Sequence, residues 1–232
     1  MKETFNFRFN STGIVHNKTL EAISELSTFP DFSLREAYYM GVKTNEEIFY
    51  NSCPEIKYPE YDEIEPYYNL IDGSETDFKK ILDELVKNGL VSKPLLAEMK
   101  YFETNISKVD DSAELKIQIL DYVNHFTQND KLEEDDLIIC WSVASVAMFS
   151  FAFWYDVAYN PKSKWYLLFN KPVTDTKAKS VKGKFWKIVG AVAVDCAGAL
   201  VGGAVGSLLG PGGAAAVGAA VAGGASTAYN KA

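Results

Sequence analysis

The 232 residues are 47% hydrophobic and 13% aromatic, enough apolar material for a sizeable core, which excludes disorder as a description of the whole chain. The formal net charge of −8 is unevenly spread. From Asn160 onward nine lysines face two aspartates, a net of +7, and the first 159 residues hold 14 basic against 29 acidic side chains, a net of −15. So acidic a body excludes nucleic acid as the main partner, because phosphate binding needs a dense basic surface. The basic end suits either anionic lipid, at about 1 kcal/mol per well-placed lysine, or the acidic body of its own chain.

The three cysteines, Cys53, Cys140 and Cys196, lie far apart and lack Cys-x-x-Cys spacing, so neither a disulfide framework nor a zinc site is expected. Cys140 and Cys196 sit in apolar runs and read as small buried hydrophobes. The start, Met1-Lys2-Glu3-Thr4-Phe5-Asn6, has no apolar h-region and no lipidation motif. Any export is therefore expected to use a route without a conventional signal peptide.

In chain order, Ser11 and Thr12 offer an N-cap before Val15, Leu20, Ile23 and Leu26, a first helix broken at Phe29-Pro30. Ser33-x-x-Glu36 and Thr44-x-x-Glu47 have capping-box spacing and predict two further short helices. Residues 53–73, with three prolines, four tyrosines and many carboxylates before Asp72-Gly73, read as an irregular loop. Phe78, Leu82 and Leu85 share a helix face that stops at Asn88-Gly89, and Ser92 with Pro94 restarts the chain. Leu95, Met99, Phe102 and Ile106 mark the next helix; Asp111-x-x-Glu114 caps another, with Leu115, Ile119, Tyr122 and Phe126 as its stripe. Strand-like alternation is scarce. The expected fold class is all-α, an acidic helical bundle over 1–159.

Residues 137–155 carry no charge over 19 positions, close to a bilayer-crossing length. Ser142, Ser145 and Ser150 among aromatics, between Glu133-Glu134-Asp135-Asp136 and Asp156, also fit the central helix of a bundle. Both alternatives stand, the bundle helix being the preferred one. Residues 160–184, with Pro161, Pro172 and scattered lysines, read as a basic linker.

The last segment, 185–232, carries the clearest pattern. Gly198, Gly202, Gly206 and Gly210 recur at every fourth position, a glycine zipper along one side of a helix. Bare strips of this kind let a second helix approach to backbone contact. After the breaker Gly210-Pro211-Gly212-Gly213, the spacing returns at Ala214, Gly218, Ala222 and Ser226, which predicts a helical hairpin. Its first arm, Phe185 to Leu209, would reach about 37 Å and its second, Gly212 to Ala228, about 25 Å. Lys182, Lys184, Phe185, Trp186 and Lys187 precede the apolar stretch in the manner of a membrane-interface belt.

Asp195 lies beside the zipper and is the polar point of this segment. A carboxylate at bilayer depth costs about 3 kcal/mol on insertion scales, so it reads either as a pore-lining, proton-sensitive group or as a partner for a basic residue of the body. In the second case acid would loosen the hairpin's hold on the bundle.

The tail resembles the glycine-zipper segments of membrane-active bacterial peptides, including class II bacteriocins, whose small-xxx-small helices associate in target membranes. More of the chain resembles a group of uncharacterised bacterial proteins. The shared features are Gly13-Ile14-Val15-His16-Asn17-Lys18-Thr19-Leu20 with its HN-x-x-L motif, the serine- and aromatic-rich run from Ser142 to Phe153-Trp154, and the Trp186…Asp195…Gly198 tail. The resemblance implies a bacterial origin and no catalytic residues.

His16 and His125 have no ligand-spaced carboxylate or cysteine beside them in the sequence, so no metal site, cofactor or catalytic set is expected, and His16-Asn17 reads as a helix-terminal hydrogen bond. The clusters at 60–65 and 133–136 lack calcium-loop spacing, and the glycine-rich tail lacks the Gly-Lys-Ser/Thr ending of a phosphate loop. The function expected from these features is that of a membrane-active or effector-like bacterial protein, toxin-like and pore-forming, made in soluble form. It would insert the glycine-zipper hairpin into a lipid membrane and self-associate as a homo-oligomer, with an immunity or chaperone partner. The alternative is a soluble, non-enzymatic interaction or structural protein whose hairpin packs into its own core or a homo-oligomer.

Overall fold

The computed structural model describes residues 7–49, 58–71, 78–109, 111–170, 181–207 and 216–225. Ten helices run through them with no strand: α1 Phe7–Ser24, α2 Leu34–Phe49, α3 Tyr61–Ile71, α4 Phe78–Lys87, α5 Lys93–Ile106, α6 Ser112–Thr127, α7 Glu134–Tyr159, α8 Tyr166–Phe169, α9 Val181–Ser207 and α10 Ala216–Ala225. The protein is an all-α bundle.

Local chemistry sets several helix ends. Ser33 caps α2 in a closed box: Glu36 N–H donates to Ser33 Oγ at 3.1 Å, and Ser33 N–H donates to Glu36 Oε2 at 2.6 Å. Helix α4 ends with Gly89 at φ 69°, the left-handed conformation that spares a Cβ. Leu90 N–H there reaches Leu85 O at 2.9 Å and Gly89 N–H reaches Val86 O at 3.0 Å, a Schellman ending. Ser92 Oγ accepts from Leu95 N–H at 3.0 Å and donates to Asp136 Oδ2 at 2.8 Å, so one side chain starts α5 and ties it to the first turn of α7. Asp111 Oδ1 accepts from Ala113 and Glu114 N–H, both at 2.9 Å, at the start of α6.

Four expectations change. Ser11 and Thr12 do not cap α1; they lie inside it and are buried, because Gly13 lets α1 press onto α7, where Gly13 N–H donates to Ser145 Oγ at 3.0 Å. The two short helices predicted after Ser33 are one, α2; Thr44 is internal and its hydroxyl donates back to Met40 O at 2.8 Å. The 53–73 loop contains α3, because Glu63 reaches back to Glu60 N–H at 2.9 Å and Ile64 is fully buried, and Pro66 is accommodated within the helix. Asp72-Gly73 lies outside the described residues. The 160–184 linker holds α8 and the start of α9, because Trp165, Leu168 and Phe169 are buried in the core.

The core is built around α7 and α9. They run antiparallel and share the most extensive helix contact of the protein. The direction is fixed by Lys184 on Ala158, Asp195 on Ser150 and Trp154, and Gly203 near Ile139. Helix α1 covers α7, and α3 and α4 touch α9. The 185–232 segment is therefore not set apart from the bundle in the described residues. Its long arm is a core helix.

Candidate functional site

Asp195 is fully buried at the contact of α9 with α7 and α1. Ser150 Oγ donates to its Oδ2 at 2.5 Å and Trp154 Nε1 donates to the same oxygen at 2.9 Å. Ser150 and Trp154 are four residues apart on α7, one helical turn, so both face α9. His16 of α1 brings Nε2 to 3.1 Å from Asp195 Oδ2, a charge contact rather than an aligned hydrogen bond. All four side chains are at zero exposure.

The histidine is oriented by its neighbour. Asn17 Nδ2 donates to Phe149 O at 3.1 Å, which turns Asn17 Oδ1 toward His16 Nδ1 at 2.9 Å. An amide oxygen only accepts, so Nδ1 is the donor. A neutral ring of that tautomer would face Asp195 with a bare Nε2, so the contact needs one proton between Nε2 and Oδ2, and with it the pair is neutral overall. This offsets part of the penalty for a buried carboxylate. The helix-terminal bond expected for His16-Asn17 is corrected: His16 stands in the middle of α1, where the packing of Gly13 on α7 carries it into the core.

The glycine strip of α9 is used against α10. A Cβ on Gly198 would stand 2.6 Å from Ala222 Cα, and one on Gly202 would be 2.7 Å from the Val217 carbonyl carbon and 2.8 Å from Gly218 Cα. The two helices are thus in antiparallel backbone contact, with Gly198 opposite Ala222 and Gly202 opposite Gly218. Gly206 is buried in α9, and Gly210 and Ala214 lie outside the described residues, as does Ser226. Helix α10 continues onto the bundle: a Cβ on Gly223 would strike Thr19 Cγ2 of α1 at 2.6 Å, and Asn45 Nδ2 of α2 donates to Ala216 O at 2.5 Å.

The five residues of the expected interface belt do different things. Phe185 is buried. Lys184 Nζ donates to Ala158 O at 3.2 Å and lies 5.1 Å from the Tyr159 ring centroid, closing the end of α7. Lys187 Nζ donates to Phe169 O, closing α8 in the same way. Cations satisfy the last carbonyls of a helix and its dipole, which holds these two lysines against the protein. Trp186 is 39% exposed, and the side chain of Lys182 lies outside the described residues.

A second histidine–carboxylate pair joins α5 and α6. Glu98 is buried, accepts from Asn129 Nδ2 at 2.6 Å and faces His125 Nδ1 at 2.8 Å, and the His125 ring stacks on Tyr101 at 3.9 Å. Each histidine therefore meets a carboxylate from another helix, a pairing that spacing along one helix does not reveal. Among the described residues no three His, Cys, Asp or Glu side chains are grouped as a metal site would need. Nor is the Asp195 set laid out as a nucleophile and base, since Ser150 gives its proton to the carboxylate and not to His16. Cys196 Sγ lies 3.8 Å from Val143 O and, like Cys140, is a free, buried thiol.

No family model matches the chain, and no curated protein and no solved structure is found to be similar to it.

Proposed function

We propose that this chain is a membrane-active protein in its stored form, with its bilayer-entering helices kept inside an acidic bundle. Among the described residues two helices are long and apolar enough to cross a membrane, Glu134–Tyr159 and Gly183–Ser207. At about 1.5 Å per residue each exceeds the ~30 Å hydrocarbon core. They already lie antiparallel. Helix α10, described over 10 residues, lies in the glycine strip of α9. The α9–α10 pair packs as the expected hairpin, and in this proposal the pair that enters the bilayer is α7 with α9, with α10 filling the glycine strip in the stored form.

The observation that carries this reading is the uneven cover on α7. A helix apolar on every side is enclosed in a water-soluble core, and 83% of the apolar window of α9 is buried, against 61% for α7. The uncovered part is the C-terminal half, where Phe151, Phe153 and Met148 are half-buried and Tyr155 is exposed. In the stored form Asp195 is held by His16, Ser150 and Trp154. On release, α10 would leave the Gly198–Gly202 strip free for a second copy, giving a homo-oligomer.

One observation favours the alternative, a soluble interaction or structural protein with a permanently buried tail: the strip of α9 is already occupied within one chain by α10. Dye release from liposomes separates the two. The membrane-active reading expects release by the wild-type chain from vesicles containing anionic lipid, at neutral or acidic pH. A chain that causes no release at either pH and stays in the aqueous fraction on flotation is the structural protein.

A further inference from the structure

Apolar rings reach the surface at the end of the molecule where α7 finishes, α8 follows and α9 begins. Phe151, Tyr155 and Tyr159 stand one turn apart along α7, with successive ring centroids 5.8 Å and 5.0 Å apart. Tyr155 is 47% exposed, Tyr159 44%, and Leu167 on α8 79%. Lys184 on Ala158 O and Lys187 on Phe169 O hold the three helix ends together, so Trp186, on the first turns of α9, belongs to the same end.

Charge is sorted along the same axis. The described residues at this end carry Lys162, Lys164, Lys184 and Lys187, whereas α7 starts after Glu133 with Glu134, Asp135 and Asp136. Asp156 is also at the basic end, beside Asn160, and Glu25 pairs with Lys164 at 2.6 Å. Tyrosine and tryptophan with a polar edge, an exposed leucine and neighbouring lysines form the combination suited to the headgroup region of an anionic bilayer. An acidic pole on the far end of α7 would orient the approach.

We propose that this end, comprising Phe151, Tyr155, Tyr159, Leu167 and Trp186 with Lys184, is the surface by which the folded chain lands on an anionic lipid bilayer. Landing precedes any opening of the bundle. The inference rests on the membrane-active reading above and adds to it where contact begins and which lipid charge it requires.

Flotation of the full chain at neutral pH, with phosphatidylglycerol-containing vesicles and with phosphatidylcholine vesicles, tests it. The wild type is expected to float with the anionic vesicles and to be released by high salt. The triple variant Tyr155→Ser, Tyr159→Ser, Leu167→Ser should lower its partitioning at least about tenfold, since both apolar area and interfacial rings are lost. Its circular dichroism and melting should match the wild type, and Ile117→Ser, an exposed apolar change on α6, should float normally. Equal flotation of the triple variant, an equal loss with Ile117→Ser, equal binding to phosphatidylcholine, or no flotation of the wild type would each overturn the proposal. Dye release is read separately. Landing without release keeps this surface and removes the insertion reading, whereas undiminished release by the triple variant removes this surface and keeps insertion.

Discussion

Asp195 is the only Asp, Glu, Lys, Arg or His between Ile188 and Ser207, and its carboxylate is held by two hydrogen-bond donors of α7 and by the contact with His16 of α1. Removing one member of such a set strands the others without water. His16→Ala and Asp195→Ala are each expected to lower unfolding free energy by about 3–5 kcal/mol, the range for breaking a buried pair. The double variant should lose much less than the sum, because both charges are gone. A urea-denaturation double-mutant cycle checks this; additive losses would mean that the two side chains do not interact. Tyr122 supplies a pH dependence of independent origin. Burial, with the Cys140 thiol beside it, pushes its phenol well above the usual range. Its contribution is intact below about pH 10, the unfolded value, and is lost as pH rises beyond, because the unfolded chain ionises first. Tyr122→Phe should flatten the alkaline fall in stability measured by denaturation at pH 8 and pH 11.

Among the helices, endings and close approaches set the arrangement. Gly89→Ala should cost about 1 kcal/mol, since a Cβ at positive φ is strained although nothing lies within 4 Å of it. Gly202→Leu is a different test, because the Val217 carbonyl and Gly218 Cα occupy the space of its side chain. It should destabilise by about 3 kcal/mol or more by forcing α10 away, and chemical denaturation reads both. The helices were legible where the signal is local: the Ser33 box, Asn88-Gly89, Ser92 and Asp111 all act as their types and spacing imply. Thr44-x-x-Glu47 has the same spacing but sits inside a helix, since a capping box in sequence says nothing about whether the preceding turn is already helical. The proline-rich stretch hid α3, whose stability comes from Ile64 entering a core assembled from distant residues. The His16–Asp195 and His125–Glu98 pairs are illegible for the same reason, although the HN motif, the serine-aromatic run and the Asp195 tail each stand out in the sequence as separate segments.

At the scale of the whole molecule, the acidic start of α7, its aromatic end beside Lys184 and Lys187 of α9, and the antiparallel placement of α9 make one polarised object. The bundle keeps α9 covered by lying α10 in its glycine strip, while the exposed rings of α7, Tyr155 and Tyr159, lie at its C-terminal end. Storage followed by release predicts that α1 and α9 separate on a bilayer. Spin labels at Lys18→Cys on α1 and Ser207→Cys on α9, in a chain whose own three cysteines are replaced, report this directly by dipolar distance measurement. The account predicts one narrow distance in water and a longer, broader distribution with anionic vesicles. The same narrow distance with and without vesicles, at neutral and at acidic pH, would contradict it.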